Sequence, residues 1–118
     1  MRTLKRLGFY REMGYVHGVS IATAPRAAKS DPRAIAYLKK GVLFIASPGP
    51  VRDIVDDARG FVGTASVLTD GVWAWRSDLV YYVETYGLEL AEDFIEHLHR
   101  VQFRVPELSR DELRALGL

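Results

Sequence analysis

The sequence predicts one α+β domain: a small antiparallel sheet of about three strands with helices packed mainly on one face. Three observations carry this expectation. Asp31-Pro32 opens a segment with helical apolar spacing, and proline at a first helical position loses no hydrogen bond. Asp70-Gly71 lies between two alternating segments, the pattern of a β-hairpin. Helical stretches then follow the hairpin one after another, without the strand–helix alternation of a doubly wound sheet.

Size and composition agree. The 118 residues suit a single globular domain, 1–118, burying roughly two thirds of its unfolded surface. An apolar fraction of 48% and a charged fraction of 26% are ordinary for such a chain, so its core needs no staples. The absence of cysteine removes disulfides and thiolate zinc sites and fits a reducing, cytoplasmic setting. No apolar run approaches the roughly 20 residues of a membrane span, so no membrane partner is expected. The N-terminus lacks the apolar stretch of a signal peptide.

Residues 1–30 carry the least pattern. Residues 8–15 place bulky apolar side chains between glycines and read as a short strand or an irregular wrap. Val19 and Ile21 alternate, as in extended chain. Residues 23–29 read as loop. A helix is expected over 32–40, capped by Asp31, with Ile35, Tyr37 and Leu38 inward. Lys39 and Lys40 fall at the end where the helix dipole favours cations, and Gly41 reads as a left-handed terminator. Residues 42–47 have the length and branching of a buried strand. Residues 51–57 read as a short helix with Ile54 and Val55 inward, ended by Gly60.

A two-residue loop at Asp70-Gly71 sets Thr69 opposite Val72, Leu68 opposite Trp73, Val67 opposite Ala74 and Ser66 opposite Trp75. Leu68, Trp73 and Trp75 then share one face, and Val67 and Ala74 the other. Ser77 reads as the N-cap of a helix with Leu79, Tyr82, Val83 and Tyr86 on one stripe, closed by Gly87. A further helix is expected over 91–102, with Phe94, Leu98 and Val101 inward and Glu92, Asp93, Glu96, His99 and Arg100 outward. Ser109 and Glu112 form a capping box for a last short helix that docks Leu113 and Leu116.

The sequence offers little chemistry. His97 and His99 are two apart on a helix and point different ways, and His17 stands alone. No metal site and no cofactor are therefore expected. Neither a Gly-x-Ser-x-Gly elbow nor a phosphate loop occurs. No catalytic residue is assigned, and the expectation is a protein that is not an enzyme. Acids gather at Asp53, Asp56 and Asp57, and again at Glu89, Glu92, Asp93 and Glu96. They read first as solvated faces, and functionally as a surface for a basic partner.

Charge is divided along the chain. Residues 1–52 carry ten Lys and Arg against two acids, whereas residues 53–118 carry six Arg against thirteen acids. The ordinary outcome is that the halves interleave in space. Two functional readings remain. A protein-binding module would use Trp75, Arg76, Tyr81 and Glu84, because Trp, Tyr and Arg dominate binding hot spots. A nucleic-acid-binding protein would use Arg2, Lys5, Arg6 and Arg11, with Phe9 and Tyr10 to stack on bases.

Thr69-Asp70-Gly71, then Trp73 and Trp75, then Asp78-Leu79 and Tyr81-Tyr82-Val83 carry a resemblance. The segment resembles small, mostly uncharacterised bacterial proteins, often actinobacterial, that combine Thr-Asp-Gly, two tryptophans two apart, Asp-Leu and a Tyr-Val helix. The likeness continues over residues 90–98. Some of these proteins are suggestive of immunity or accessory proteins in toxin systems. The resemblance implies no established chemistry, and through the immunity-like proteins it implies a protein partner that the molecule would neutralise.

Overall fold

The structure, a computed structural model, describes residues 2–27 and 29–118. In chain order the described elements are β1 (Arg2–Thr3), β2 (Lys5–Leu7), α1 (Pro32–Lys39), β3 (Val42–Ile45), β4 (Pro50–Arg52) and β5 (Phe61–Thr64). They continue with β6 (Val67–Thr69), β7 (Trp73–Arg76), α2 (Leu79–Tyr86), α3 (Glu92–Arg100), α4 (Arg110–Arg114) and β8 (Leu116–Gly117).

The mixed α+β class holds, but the sheet is not three antiparallel strands. It has four strands in the order β2-β7-β6-β3, and β2 runs parallel to β7. Two smaller ladders flank it, β4 antiparallel to β5 and β1 parallel to β8. The added edge strand, Lys5–Leu7, is three residues long and two of them are charged. So short a strand shows no period. It forms because Leu7 can lie beside Trp75 on the core face while Lys5 and Arg6 stay exposed.

The hairpin forms, with its turn moved by one residue. Asp70 N donates to Trp73 O, so Gly71 and Val72 are the central pair, and Leu68 opposes Trp75 rather than Trp73. Gly71 has φ +92, at the first central position where a II′ turn takes glycine. The Asp70 carboxylate makes this placement favourable, because its Oδ1 accepts from Val72 N (2.9 Å) and Trp73 N (2.7 Å). Each β6 residue therefore faces a partner two positions further along than a turn at 70–71 would give. A shift of two preserves faces. Leu7, Trp73 and Trp75 pack with residues of α1, α2 and α3, while Val67 and Ala74 pack with Leu4, Phe9 and Leu116. Helices α1 to α3 thus lie on one face, and the chain termini, including Leu113 of α4, cover the other.

Both indoles are buried, Trp73 at 4% and Trp75 at 1% exposure. Burying an aromatic of this size removes upwards of ~150 Å² from water, a stabilisation of ~4 kcal/mol each before entropy. Trp75 also donates its ring N–H to Leu38 O at the end of α1 (3.1 Å). Phe94 stands edge-on to Tyr37, Trp73 and Trp75, joining α1 and α3 to the sheet.

Local signals set the helix ends. Asp31 accepts from Arg33 N (2.8 Å) and α1 starts at Pro32. Gly87, φ +66, closes α2. Ser109 and Glu112 satisfy each other's backbone amides, both at 3.1 Å. Four further expectations fail. Gly41 is no left-handed terminator; a Cβ there would stand 2.6 Å from Trp75 Cζ2 and 2.7 Å from Leu68 Cβ, so glycine is required for close approach. Residues 51–57 form no helix, because Pro50–Arg52 pairs with β5 and Asp53 then turns the chain. Ser77 caps nothing; it bonds Thr64, and helix α2 begins one residue later, after Asp78. The strand expected to be buried, β3, is an outer strand with Leu43 and Ile45 exposed.

Candidate functional site

The four residues expected to contact a protein partner do not form one surface. Trp75 and Arg76 are buried, so neither is available to a partner. Trp75 packs in the core against Tyr37 and Phe94, and Arg76 is held inside by Asp78, which accepts from its Nε (3.0 Å) and Nη2 (2.8 Å) in a two-point pair. Burial pushes the Asp78 carboxyl upward, against the pull of Arg76. Tyr81 is half-buried, and its hydroxyl donates to Asp53 (2.7 Å) instead of facing a partner. Glu84 alone is exposed, paired with Lys39 at 3.3 Å.

Asp53 organises this region. Its Oδ2 accepts from Tyr81 (2.7 Å) and Tyr86 (2.6 Å), and its Oδ1 from Val55 N (2.7 Å) and Asp56 N (2.9 Å). Burial opposes its charge, yet the two hydroxyls and two amides outweigh burial and hold the carboxyl down at about 2. Tyr82 adds a third link, accepting from Ile54 N (3.1 Å). These tyrosines fasten the β4 turn to α2.

A second buried carboxylate, Asp70, lies beneath the hairpin. It accepts from the Tyr37 hydroxyl (2.5 Å) and from His97 Nε2 (2.8 Å), besides the two turn amides. Burial, with the Asp70 contact, pushes the Tyr37 hydroxyl far upward, so it stays a donor. Asp53 stands on the lining of a concavity of about 690 Å³ beside Arg52 and Asp57, but its carboxylate oxygens are already taken by Tyr81, Tyr86 and two backbone amides. Asp70 is closed in the same way by Tyr37, His97 and the turn amides. Among the described residues, no three His, Cys, Asp or Glu side chains converge where a metal would sit.

The basic residues Arg2, Lys5, Arg6 and Arg11 are exposed and make no ion pair among the described residues. They do not form one patch. Lys5 lies over the Trp73 ring (5.5 Å) and Arg6 over the Phe9 ring (5.8 Å), on opposite faces of β2.

A larger concavity than the one beside Asp53 is a groove of about 980 Å³ between the N-terminal wrap and the α2–α3 connection. Its floor is Leu7, Phe9, Tyr10 and Leu79, all buried. Val16 and Val19 stand on its lip at 78% and 65% exposure. Around them are exposed polar groups: Arg6 and His17 on the wrap, Glu89 and Glu92 on the connection. Basic and acidic halves of the chain therefore meet across the groove, as Lys39 and Glu84 meet on the helices.

The wrap is held by Glu12, which bonds the Ser20 hydroxyl and accepts from Ile21 N (2.8 Å). Gly18 lets the chain close, since a Cβ there would overlap Phe9 O. Sequence reasoning missed this site because it is built from irregular chain. The local trace was Val16 and Val19, apolar side chains in a segment whose brief alternation reads only as extended chain. Set against models of known protein families, curated proteins and solved structures, the chain matches none.

Proposed function

We propose that the protein is a binding module without catalytic activity, and that it holds a segment of a partner protein in the groove between the N-terminal wrap and Glu89–Glu92. The observation that carries this reading is the groove's layering. Its floor is apolar and buried, its lip carries two exposed valines, and its polar groups stand on the rim. Protein interfaces have this anatomy. Catalytic pockets instead aim a few polar groups inward, whereas the buried carboxylates here are consumed by internal bonds. The likeness of residues 68–83 to proteins suggestive of immunity factors supports a role in masking that partner.

The rim specifies the segment. Glu89 and Glu92 stand on one wall, so the occupant carries a Lys or Arg beside a bulky apolar anchor. Selection from a random displayed peptide library tests this. Enriched sequences should combine a basic with a large apolar residue, and Glu89→Lys/Glu92→Lys should weaken them about tenfold, ~1.4 kcal/mol. Absence of enrichment, or affinity unchanged in the double variant, overturns the reading.

The nucleic-acid alternative rests on Arg2, Lys5, Arg6 and Arg11 being exposed without ion pairs among the described residues. The placement of Lys5 and Arg6 on opposite faces of β2 ranks it second. Anisotropy of a labelled single strand at low salt decides it, since phosphate binding is strongest there.

A further inference from the structure

We infer that the outer strand β3 is a self-association edge, through which two copies of this chain pair antiparallel into one sheet of twice four strands. The two edges of the central sheet are treated differently. The β2 edge carries Lys5 and Arg6, charges that keep strand edges apart. The β3 edge, Val42–Ile45, carries no charge and no proline. Leu43 and Ile45 are 54% and 44% exposed there. Beyond its ladder with β6, no backbone bond reaches residues 42–45 among the described residues. The strand therefore offers donors, acceptors and apolar side chains together, the features that strand addition uses.

A second copy is the occupant that these groups fit. Every exposed side chain of the strand is apolar, so a copy meets a copy without burying a charge. Centred between Leu43 and Phe44, an antiparallel ladder sets Lys40 of one copy opposite Ser47 of the other, so the lysines lie at opposite ends. Lys39 is already paired with Glu84 of its own chain. Size sets the strength. A four-residue strand falls short of the ~1,200 Å² at which interfaces become stable. The irregular register between Leu43 and Ile45 also blunts the edge. The dimer is therefore weak, with a dissociation constant of roughly 100 μM or above. This surface shares no residue with the groove, so the two proposals fail separately.

Sedimentation velocity from about 10 μM to about 1 mM tests it, because a weak dimer populates across that range. The mass should rise from 13.3 kDa toward twice that value. Leu43→Lys/Ile45→Lys should stay monomeric throughout, with its melting temperature close to wild type. Phe61→Ser, altered at another exposed apolar side chain (64%), should associate as wild type does. A wild type that remains at 13.3 kDa, or a lysine variant that still associates, overturns the inference. Should the lysine variant unfold, amide exchange of the wild type decides. Protection over 42–46 that grows with protein concentration supports the edge pairing, and concentration-independent exchange refutes it.

Discussion

Replacing Asp53 by asparagine isolates the contact that fixes the β4 turn to α2. Asparagine is nearly the same shape, so its Oδ1 still accepts from Val55 N and Asp56 N. Its amide nitrogen, however, replaces the oxygen that takes the Tyr81 and Tyr86 hydroxyls at 2.7 and 2.6 Å. Both hydroxyls lose an ionised acceptor, and bonds to charged groups contribute ~1.5–3 kcal/mol each before compensation. The tyrosines remain near water and rebond, so the net loss at pH 7 is ~2 kcal/mol. At a urea slope of about 1.5 kcal/mol/M, the unfolding midpoint falls by about 1.3 M.

The pH dependence has a definite sign. Asp53 titrates at about 2 in the fold against 3.8 ordinarily. A folded value below the unfolded one means that the charged form stabilises the fold. That contribution is complete above the unfolded value and is lost as pH falls through about 4 toward 2. Asparagine does not titrate, so the gap between wild type and variant should be widest at pH 6 and should narrow to about a third of that by pH 2.5. Urea titrations at pH 6, 4 and 2.5 measure it. A gap that stays constant with pH, or a variant as stable as wild type at pH 6, refutes the reasoning.

Two more perturbations test the packing of the sheet. Tyr37→Phe removes one donor from fully buried Asp70 while keeping the ring that packs against Trp75 and Phe94; it should cost ~1–3 kcal/mol in chemical denaturation, and a neutral result would mean that the hydroxyl is dispensable to the carboxylate. Gly41→Ala drives a methyl toward Trp75 and Leu68, so it should lower stability by ~1–3 kcal/mol. Gly49→Ala, where a Cβ meets nothing within 4 Å, should leave the melting temperature unchanged. Equal effects of the two alanines would contradict the close approach of helix end and indole.

Where the sequence could be read, the cause was local. Asp31, Gly87 and Ser109 bond or shape the backbone within a few residues of themselves, so they mark helix ends without help from the rest of the chain. The faces of the hairpin were legible for a similar reason: alternation survives a two-residue shift of register. The turn itself was misplaced because the choice between 70–71 and 71–72 depends on Asp70, whose side chain serves Tyr37 and His97 as well as the turn amides. The contact surface built on Trp75, Arg76 and Tyr81 failed for the same kind of reason. Tyr81 sits off the apolar stripe of α2, yet its partner Asp53 lies 28 residues earlier.

The amino-acid sequence by itself determined the α+β class, the extents of α1 and α3 to within two residues, the start of α4, and which indoles share a face. Only the tertiary structure decided that Lys5–Leu7 is a central-sheet strand, that Val42–Ile45 is an open edge, and that residues 6–25 and 89–92 enclose a groove. Caps and periodicity are short-range interactions written in neighbouring residues. Strands of three or four residues and irregular wraps gain their stability from segments far away in the chain, and no neighbouring residue records that partner.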